Sequence, residues 1–434
     1  MKAFRVVIRA CVVAWFVNAY GWRYLFAAPW SRTGTRASLK GRMLAELFES
    51  LGGAYIKIGQ VLSSRPDLLG AQITEPLSRL QDSVRPFRFE LVTELIHKEF
   101  NKPLDDVFQT FDRVPCSSAS VAQVHRATLP SGAEVAVKLR RPGIVEAVET
   151  DLILWNSLAS VIGRLPGMRM TPVRQVFGEI GALVQAQLDF RQEAANQLTF
   201  LKNFSDNSEV RVPKLYLAWC TEAVITMEYF DALVKVSELT PESLPSKSAV
   251  LMSLRALYKM VFVDGLTHAD MHPGNVFYRA DGKFVLLDFG MVARLNGEEL
   301  VDFAFFFFGM VTNNGQECAR VIDKTASHRR PGFRYDEFEA AVSKVIARHA
   351  AKRASEFEVA KFAFDIFDVQ RRCGIRGSTA FTATILSFVV FEGILKQVDP
   401  HLDFQSEARR FLPTILGRLI AKPKPAAAAV AATA

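Results

Sequence analysis

The sequence has few cysteines, and none of them has the spacing of a metal or redox motif. The five cysteines are odd in number and widely scattered over 434 residues, and no C-x-x-C pair occurs. This pattern indicates neither a disulfide framework nor a cysteine zinc site. It fits a reducing compartment, which is also where ATP is present.

The sequence also lacks a long uninterrupted hydrophobic run. Only thirteen residues separate Arg9 from Arg23, whereas a helical span of a bilayer needs about twenty apolar residues. Residues 303–311 and 377–391 are apolar but short, and they predict buried helices of a large lobe. No heptad repeat and no carboxy-terminal membrane anchor are visible, and residues 421–434 are expected to form a disordered tail.

The amino-terminal segment, residues 1–38, is basic and aromatic. The net charge of +8 and the pI near 9.2 favour an acidic partner, and no nucleic-acid motif accompanies the basic residues. The segment combines Lys2, Arg5, Arg9, Arg23 and Arg32 with Trp15, Phe16, Tyr20, Trp22, Tyr24, Phe26 and Trp30. This composition predicts a segment that lies on an anionic membrane surface. A secretory signal is the alternative, because a basic start, an apolar stretch and small residues near Ala27-Ala28 resemble one.

The richest segment runs from His268 to Asn275 (HADMHPGN) and is followed by Asp288-Phe289-Gly290. Kinase catalytic loops read D-x-x-x-x-N with a later D-F-G. The spacing therefore predicts Asp270 as the base that accepts the substrate proton, with Asn275 and Asp288 as magnesium ligands. The apolar strand and the Asp281-Gly282 turn before Asp288 strengthen this interpretation.

A zinc site is the alternative for this loop, because histidines at positions i and i+4 of one helix face bind zinc. His268 and His272 have that spacing. However, Pro273 disfavours helix at the residue before it, and Gly274 favours a turn. The segment is therefore predicted to be a loop, which argues against zinc.

A strand, a turn and a second strand are predicted over residues 121–140. The second strand contains A-V-K, and kinases place on their third strand a lysine that grips the α- and β-phosphates and pairs with a helix glutamate. We expect Lys138 to be that lysine and Glu193 its partner; from this segment alone, a solvated strand lysine is the alternative. Helices are predicted at 144–165 and 172–204, and strands at 212–219 and 223–230.

No G-x-G-x-x-G precedes this hairpin, and residues 116–120 (CSSAS) stand where a glycine loop belongs. Backbone N–H groups can cradle phosphate without glycine, although the loop then approaches less closely. The predicted nucleotide-binding residues are Ser117, Ala119, Ser120, Val121 and Lys138, with Glu228 and Tyr229 in the linker between the lobes.

Four motifs together resemble the UbiB family of atypical kinases. They are Lys57-Ile58-Gly59-Gln60, residues 117–125 (SSASVAQVH), Ala194-Ala195-Asn196 after Glu193, and residues 268–275. The resemblance covers about residues 40–395, and K-x-G-Q combined with H-x-D-x-H-P-G-N is highly specific. It implies an α+β, protein-kinase-like bilobal fold with an added helical subdomain, activity with ATP, and a role in ubiquinone or other isoprenoid lipid metabolism at a membrane.

The resemblance also assigns residues. In the UbiB family the K-x-G-Q lysine enters the active site, and its subdomain covers the surface where a protein substrate would dock, so Lys57 and Gln60 are implied site residues. An alanine-rich loop replaces the glycine loop, and Ala119-Ser120 match its end. One departure is Gln187-Leu188-Asp189 where the family has E-x-D, which leaves Asp189 and Glu193 as candidate partners of Lys57.

The expected domains are the membrane-surface segment, a helical K-x-G-Q extension at 39–112, an N-lobe at 113–230, a C-lobe at 231–420 and the tail. The leading hypothesis is an atypical kinase or ATPase that uses ATP and Mg²⁺ in ubiquinone (coenzyme Q) or related lipid metabolism. Expected partners are an anionic membrane surface, an isoprenoid or phenolic lipid and quinone-biosynthesis proteins, but no nucleic acid. The expected location is cytoplasmic with peripheral membrane association, or the mitochondrial matrix face in a eukaryote.

Two alternative functions remain open at the level of sequence. Loops of the form H-x-D-x-H-P-x-N also occur in sugar and choline kinase-like folds, which would make the protein a small-molecule phosphotransferase. The phenylalanine-rich residues 303–308 could instead line a lipid groove in a nucleotide-gated binding protein without turnover, although a core helix explains them more simply.

Overall fold

The computed structural model describes residues 2–27, 33–80, 85–164, 172–235, 247–272, 274–350 and 357–399, with Phe404, Glu407, Pro413 and Gly417. The predicted tail and Pro273 of the catalytic loop lie outside these residues. The described chain forms a helical amino-terminal extension, a small lobe built on an antiparallel sheet, and a large, mostly helical lobe.

The amino-terminal extension consists of five helices. These are α1 (Lys2–Ala27), α2 (Thr33–Leu51), α3 (Ala54–Ser63), α4 (Pro66–Leu69) and α5 (Ala71–Leu77). Helix α3 carries the K-x-G-Q motif, and its glycine explains how closely the helices pack. A Cβ atom at Gly59 would lie 2.2 Å from Leu80 Cδ1 and 2.7 Å from Phe48 Cδ2, which is closer than side chains can approach. We therefore attribute a packing role to Gly59.

The small lobe is built on a five-stranded antiparallel sheet in which β1 (Thr110–Phe111) and β2 (Ser117–Ser118) both pair with β3 (Ala122–Thr128). The sheet continues through β4 (Glu134–Arg140) to β6 (Val224–Glu228). Helices α6 (Phe89–Phe100) and α7 (Leu104–Val107) precede it, and Val92 and Ile96 of α6 share one core with the sheet. Residues near 89–111 thus pack on the sheet, although the sequence groups them with the extension.

One predicted helix is wrong, because residues 172–204 form two helices instead of one. After α8 (Ile144–Ile162), α9 (Val173–Ala186) ends before Gln187, and α10 (Phe190–Asn203) begins after Asp189. The Asp189 carboxylate accepts a hydrogen bond from Arg191 N at 3.0 Å and so caps α10. The apolar spacing continued across the break, so the periodicity gave no sign of it.

The predicted strand at 212–219 is also wrong. In that region the structure has the short strand β5 (Val210–Arg211), a single bridge from Leu215 to Met227, and a 3₁₀ turn at Leu217–Trp219. The turn is closed by Trp219 N, which donates to Tyr216 O. Alternating apolar residues produced the strand prediction, but local turn hydrogen bonds decided the conformation.

Among the described residues, the large lobe surrounds three small sheets with helices. A four-stranded sheet has the order β5, β10 (Phe284–Leu286), β9 (Val276–Tyr278), β7 (Val234–Lys235), while β8 (Leu266–His268) pairs with β11 (Val292–Arg294), and β12 (His328–Arg329) with β13 (Ile375–Arg376). The helices are α11 (Lys247–Lys259), α12 (Gly297–Val311), α13 (Gly315–Lys324), α14 (Tyr335–Ala350), α15 (Val359–Cys373) and α16 (Thr379–Val398).

The phenylalanine-rich helix α12 is a core helix on one side. Phe303 and Phe306 are almost fully buried and contact Phe381 of α16, whereas Phe308 is 40% exposed. These contacts agree with the predicted buried helix. Phe303, Phe306 and Phe307 also line a small apolar cavity together with Phe362 and Phe388.

Helix α1 is a single helix of 26 residues within the segment predicted to lie on a membrane surface. Two described helical stretches, Phe4–Ala27 and Thr379–Lys396, have the length and hydropathy that a membrane span requires, a criterion that core helices and signal sequences also meet. The second is mostly buried in the protein, while the first has no buried share. Helix α1 continues through Arg9 and Arg23, whose guanidinium groups pair with Asp151 and with Glu46 respectively.

A buried polar network fixes the entry to the small lobe. Gln123 accepts a hydrogen bond from Phe87 N at 3.0 Å and lies 2.8 Å from His125 Nε2. His125 Nδ1 lies 2.7 Å from the carbonyl oxygen of Asp112. A carbonyl can only accept, so Nδ1 carries the proton and Nε2 accepts from Gln123. Burial lowers the pKa of His125 below its ordinary value, and the imidazole is therefore neutral.

Acidification is expected to destabilise the protein through His125. The unfolded chain takes up a proton near the ordinary pKa of about 6.5, whereas the native imidazole does so only at lower pH. This contribution to stability is complete above about pH 6.5 and is lost as the pH falls below that value. Melting temperatures measured between about pH 7.5 and about pH 5.5 should fall less steeply in His125→Gln. Parallel declines in the two proteins would contradict this account.

Candidate functional site

The candidate site lies between the lobes, where the loop after β8 meets the loop after β10. The Asn275 side-chain amide donates to the carbonyl oxygen of Asp270 at 3.1 Å and to its carboxylate Oδ2 at 2.7 Å. Asp270 N donates to His268 Nδ1 at 3.3 Å, and His268 Nε2 lies 3.0 Å from Leu287 O. The loop therefore holds the Asp270 carboxylate in one position.

Asp288 ends the hairpin of β9 and β10 in a left-handed backbone conformation with φ of 55°. A non-glycine residue adopts this conformation only when its surroundings compensate for the strain. Gly290 N donates to Asp288 Oδ1 at 3.1 Å, and a Cβ atom at Gly290 would lie 3.1 Å from that same oxygen. The Asp288 side chain remains 46% exposed to the cleft, so its carboxylate is accessible to a ligand.

Lys138 joins the two lobes through carboxylates. Its Nζ lies 2.6 Å from Glu193 Oε1 and 3.2 Å from Asp288 Oδ2. The Lys138 and Glu193 side chains are 12% and 6% exposed. Strand β4 supplies the lysine, α10 the glutamate and the second hairpin loop the aspartate, so the structure brings together three residues that the sequence predicted to act together.

The pKa values of these groups reflect burial and their mutual charges. Burial raises the pKa of Glu193 to about 7, an effect that Lys138 opposes. Burial alone would also raise the pKa of Asp288, but Lys138 and Lys57 outweigh it and lower the value to about 2. Burial would lower the pKa of Lys138, but Asp288 and Glu193 outweigh it and raise that pKa. Asp288 is therefore ionised at every physiological pH.

Lys57 contributes its charge to the same cluster. Its positive charge lowers the pKa of both Glu193 and Asp288. The next residue of α3, Ile58, shares a core with Phe190 and Ala194 of α10, the helix that carries Glu193. Asp189, the other candidate partner of Lys57, instead uses its carboxylate to cap α10. Gln60 Nε2 donates to Leu80 O at 3.3 Å, and this contact holds α3 to the end of the extension. The role of Gln60 in nucleotide binding stays a prediction.

The loop in place of a glycine loop is a tight turn. Ala119 N donates to Ala122 O at 2.7 Å, and Arg141 Nη2 donates to Ala119 O at 3.0 Å. Ser117 pairs with β3, while Ser120 and Val121 are 5% and 7% exposed. The amide of Ala119 is thus used within the turn. Arg141, which the sequence analysis did not single out, holds this loop through its hydrogen bond to Ala119 O.

The predicted linker residues are engaged at the edge of the sheet. Glu228 N donates to Lys214 O at 2.8 Å, and the Glu228 carboxylate accepts from Lys214 N at 3.2 Å. Tyr229 N donates to Glu134 O at 3.3 Å, and the Arg126 guanidinium lies 4.8 Å from the Tyr229 ring centroid. Neither side chain reaches the cluster of Lys138.

Asn196 is a site residue whose role the sequence analysis missed. It lies one turn after Glu193 on α10, is 2% exposed, and donates to the carbonyl oxygen of Phe289 at 2.9 Å. Its own oxygen accepts from Arg294 at 2.7 Å. The sequence did contain a signal for this role, because Asn196 lies three residues after Glu193 and therefore on the same face of the helix. Helix α10 therefore holds both Lys138 and the backbone of the D-F-G segment.

The donor set fits magnesium held together with phosphate groups. Among the residues that the structure describes, no group of three or more His, Cys, Asp or Glu side chains could hold a metal ion. Mg²⁺ is usually bound through one or two protein oxygen ligands, water and substrate phosphates, instead of by an all-protein cage. Asn275 and the accessible Asp288 carboxylate are oxygen ligands of that kind.

Comparisons with known proteins agree on one family. The family model described as ABC1 atypical kinase-like domain matches residues 79–322. A probable protein kinase UbiB of Xanthomonas oryzae pv. oryzae is 30% identical over 391 residues, covering 87% of this chain and 70% of that protein. The similarly named protein of Xanthomonas euvesicatoria pv. vesicatoria is 30% identical over 430 residues, covering 95% and 77%.

Among solved structures, Rv3197 of Mycobacterium tuberculosis, determined as a complex with erythromycin, is similar with a TM-score of 0.58. It is 23% identical, and the match covers 84% of this chain and 94% of that one. At this identity the likeness shows a shared fold.

Proposed function

The chain belongs to the ABC1 atypical kinase-like family that includes UbiB, and from that premise we propose that it uses ATP with magnesium in ubiquinone or related isoprenoid lipid metabolism at a membrane. The observation that carries the proposal is the cluster of Lys138, Glu193 and Asp288, together with the Asp270 carboxylate that the Asn275 amide holds. The reaction is transfer of a phosphoryl group to a small or lipidic acceptor, or hydrolysis of ATP.

Each residue of the cluster has a defined task in this proposal. Lys138 would hold the phosphates, and Glu193 would orient Lys138. Asp270 would accept the proton of the attacking hydroxyl or water, held in place by the Asn275 amide. Asn275 and Asp288 would hold magnesium, which when bound neutralises the charge that develops on the phosphates.

The position of α3 supports a small or lipidic acceptor over a protein. The α3 residue Ile58 shares a core with Phe190 and Ala194 of α10, and the Lys57 charge lowers the pKa of Asp288 and Glu193. In this proposal α3 therefore covers the surface where a peptide would dock. Ala119 uses its amide within its own turn, so the nucleotide site differs from one with an open glycine loop.

The exposed side of α1 supports the membrane location. Phe4, Trp15, Trp22 and Phe26 are 58–72% exposed, and their spacing places them along one side of the helix. Aromatic residues of this kind favour the interface between lipid and water. We therefore propose peripheral attachment through α1, at the cytoplasmic face in a bacterium or the matrix face in a mitochondrion, where lipids and quinone-biosynthesis proteins are the expected partners.

The test measures phosphate release and product formation together. We expect the purified protein to release phosphate from ATP in the presence of Mg²⁺, and to do so faster with vesicles containing anionic lipid than with neutral vesicles. Screening alcohols and phenolic lipids for a phosphorylated product by mass spectrometry separates transfer from hydrolysis. Binding of Mg²⁺ and ATP without turnover under all these conditions would overturn the proposal in favour of a nucleotide-gated binding protein.

A further inference from the structure

An ion pair connects α1 to the beginning of the helix that carries Lys57. Arg9 Nε lies 2.6 Å from Asp151 Oδ1, and Arg9 Nη2 lies 3.0 Å from Oδ2. The same Nη2 donates to the carbonyl oxygen of Leu51 at 2.8 Å. The Asp151 side chain is 2% exposed and that of Arg9 is 26% exposed. This pair is far less exposed than Arg23–Glu46, in which the side chains are 57% and 46% exposed.

Asp151 also holds the first turn of α3. Its carboxylate accepts a hydrogen bond from the backbone N–H of Ala54, the first residue of α3. Gly53, the residue before the helix, forms no side-chain cap, so an aspartate of α8 takes the place of a local capping residue. A negative charge at a helix amino terminus is stabilising. Removing the partner of a buried carboxylate leaves its charge uncompensated.

The chain between α2 and α3 is shaped as a hinge. Gly52 and Gly53 both have positive φ, 64° and 54°, which side chains rarely adopt. Arg9 contacts both sides of this hinge, because it donates to Leu51 O before it and its guanidinium lies 5.5 Å from the Tyr55 ring centroid after it. The angle at which α3 leaves α2 therefore depends on Arg9 and Asp151.

We propose that Arg9 and Asp151 are positioning residues that hold α3 so that Lys57 stays in the nucleotide cleft. This inference rests on the proposed function, and it makes α1 the element that controls how Lys57 occupies the site. Lys57 lies one turn after Ala54 on α3. Its neighbour Ile58 shares a core with Phe190 and Ala194 of α10, so α3 packs on the helix that carries Glu193. A cation beside a metal ligand opposes the binding of a second cation. Displacing Lys57 therefore strengthens Mg²⁺ binding at Asp288.

We expect Arg9→Ala to bind a non-hydrolysable ATP analogue half-maximally at a several-fold lower Mg²⁺ concentration than the parent. Binding is measured by calorimetry without membranes. Lys57→Ala should produce a similar shift. If Arg9 acts through Lys57, Arg9→Ala should add nothing in the Lys57→Ala background. Arg23→Ala is the matched control, since it removes an arginine of α1 whose ion pair is exposed, and it should bind Mg²⁺ as the parent does.

Hydrogen exchange gives a second measurement that needs neither nucleotide nor turnover. Amides of residues 52–58 should exchange faster in Arg9→Ala than in the parent, while Arg23→Ala matches the parent. If Arg9→Ala does not fold, it is replaced by Arg9→Lys and by Asp151→Asn. The asparagine keeps an oxygen for Ala54 N–H but loses the charge. Failure of the parent to bind nucleotide would overturn the proposed function, and unchanged exchange would overturn the hinge.

Two outcomes would overturn the role of Arg9 in the Mg²⁺ measurement. One is an unchanged Mg²⁺ requirement in Arg9→Ala. The other is that Arg9→Ala shifts the Mg²⁺ requirement equally in the parent and in the Lys57→Ala background. A general loss of structure would produce that result, because it would act independently of Lys57.

Discussion

Replacing Asp288 by asparagine is expected to lower phosphate release from ATP by about 10³-fold or more, because charge stabilisation of the transferring group is usually the largest catalytic contribution. The carboxylate is ionised, with a pKa of about 2, and accessible in the cleft. Asparagine keeps the shape but removes the charge that attracts Mg²⁺. Lys138 would also lose one of its two carboxylate partners.

The control for Asp288→Asn is Asp281→Asn on the same hairpin. Asp281 lies in the turn between β9 and β10, where it pairs with Lys283 at 3.3 Å, and its side chain is 42% exposed. An asparagine there can still accept the hydrogen bond from Lys283 N, so phosphate release should stay near that of the parent. Phosphate release by Asp288→Asn at the rate of this control would exclude Asp288 as a magnesium ligand.

Replacing Asp270 by asparagine is expected to lower turnover by about 10²- to 10⁴-fold, the range in which a positioned proton acceptor contributes. The Asp270 carboxylate accepts a hydrogen bond from the Asn275 amide at 2.7 Å. The carboxylates paired with Lys138 are those of Glu193 and Asp288. An asparagine can present its oxygen to Asn275 and its NH₂ to the cleft, which preserves the loop but cannot accept a proton.

The two variants should differ in nucleotide binding. Asp270→Asn should keep the parent affinity for Mg²⁺ and ATP, measured by calorimetry, whereas Asp288→Asn should lose Mg²⁺ affinity. Equal losses of binding in both variants would contradict the assignment of one carboxylate to the proton and the other to the metal. Normal turnover in Asp270→Asn would show that water or a hydroxyl reacts without this base.

The sequence identified groups that lie close together along the chain. Asp270 and Asn275 are five residues apart in one loop, so their hydrogen bond follows from local conformation. The Asp281-Gly282 turn likewise produced the predicted hairpin, with Gly282 at φ of 81°. Such elements are fixed by turn residues and short-range hydrogen bonds, which a single sequence displays directly.

Other parts of the fold depend on competition that a sequence pattern does not reveal. Apolar periodicity predicted one helix across Leu188, but the Asp189 carboxylate caps a new helix there. The residues between Arg9 and Arg23 predicted a segment on the membrane surface, but the sequence did not indicate that Arg9 pairs with Asp151 and Arg23 with Glu46. In each case a polar side chain found a partner that composition alone could not indicate.

By itself, the sequence determined the family, the order of the phosphoryl-transfer residues and the absence of a glycine loop, because these are properties of residue type and spacing. Only the tertiary structure decided that Lys138 meets Glu193 across 55 positions and that Arg9 meets Asp151 across 142 positions. Such pairs form when packed helices and strands bring distant segments together, and burial then makes their charges interact strongly. The packing of α3 on α10 belongs to that second group, because it brings Ile58 into one core with Phe190 and Ala194.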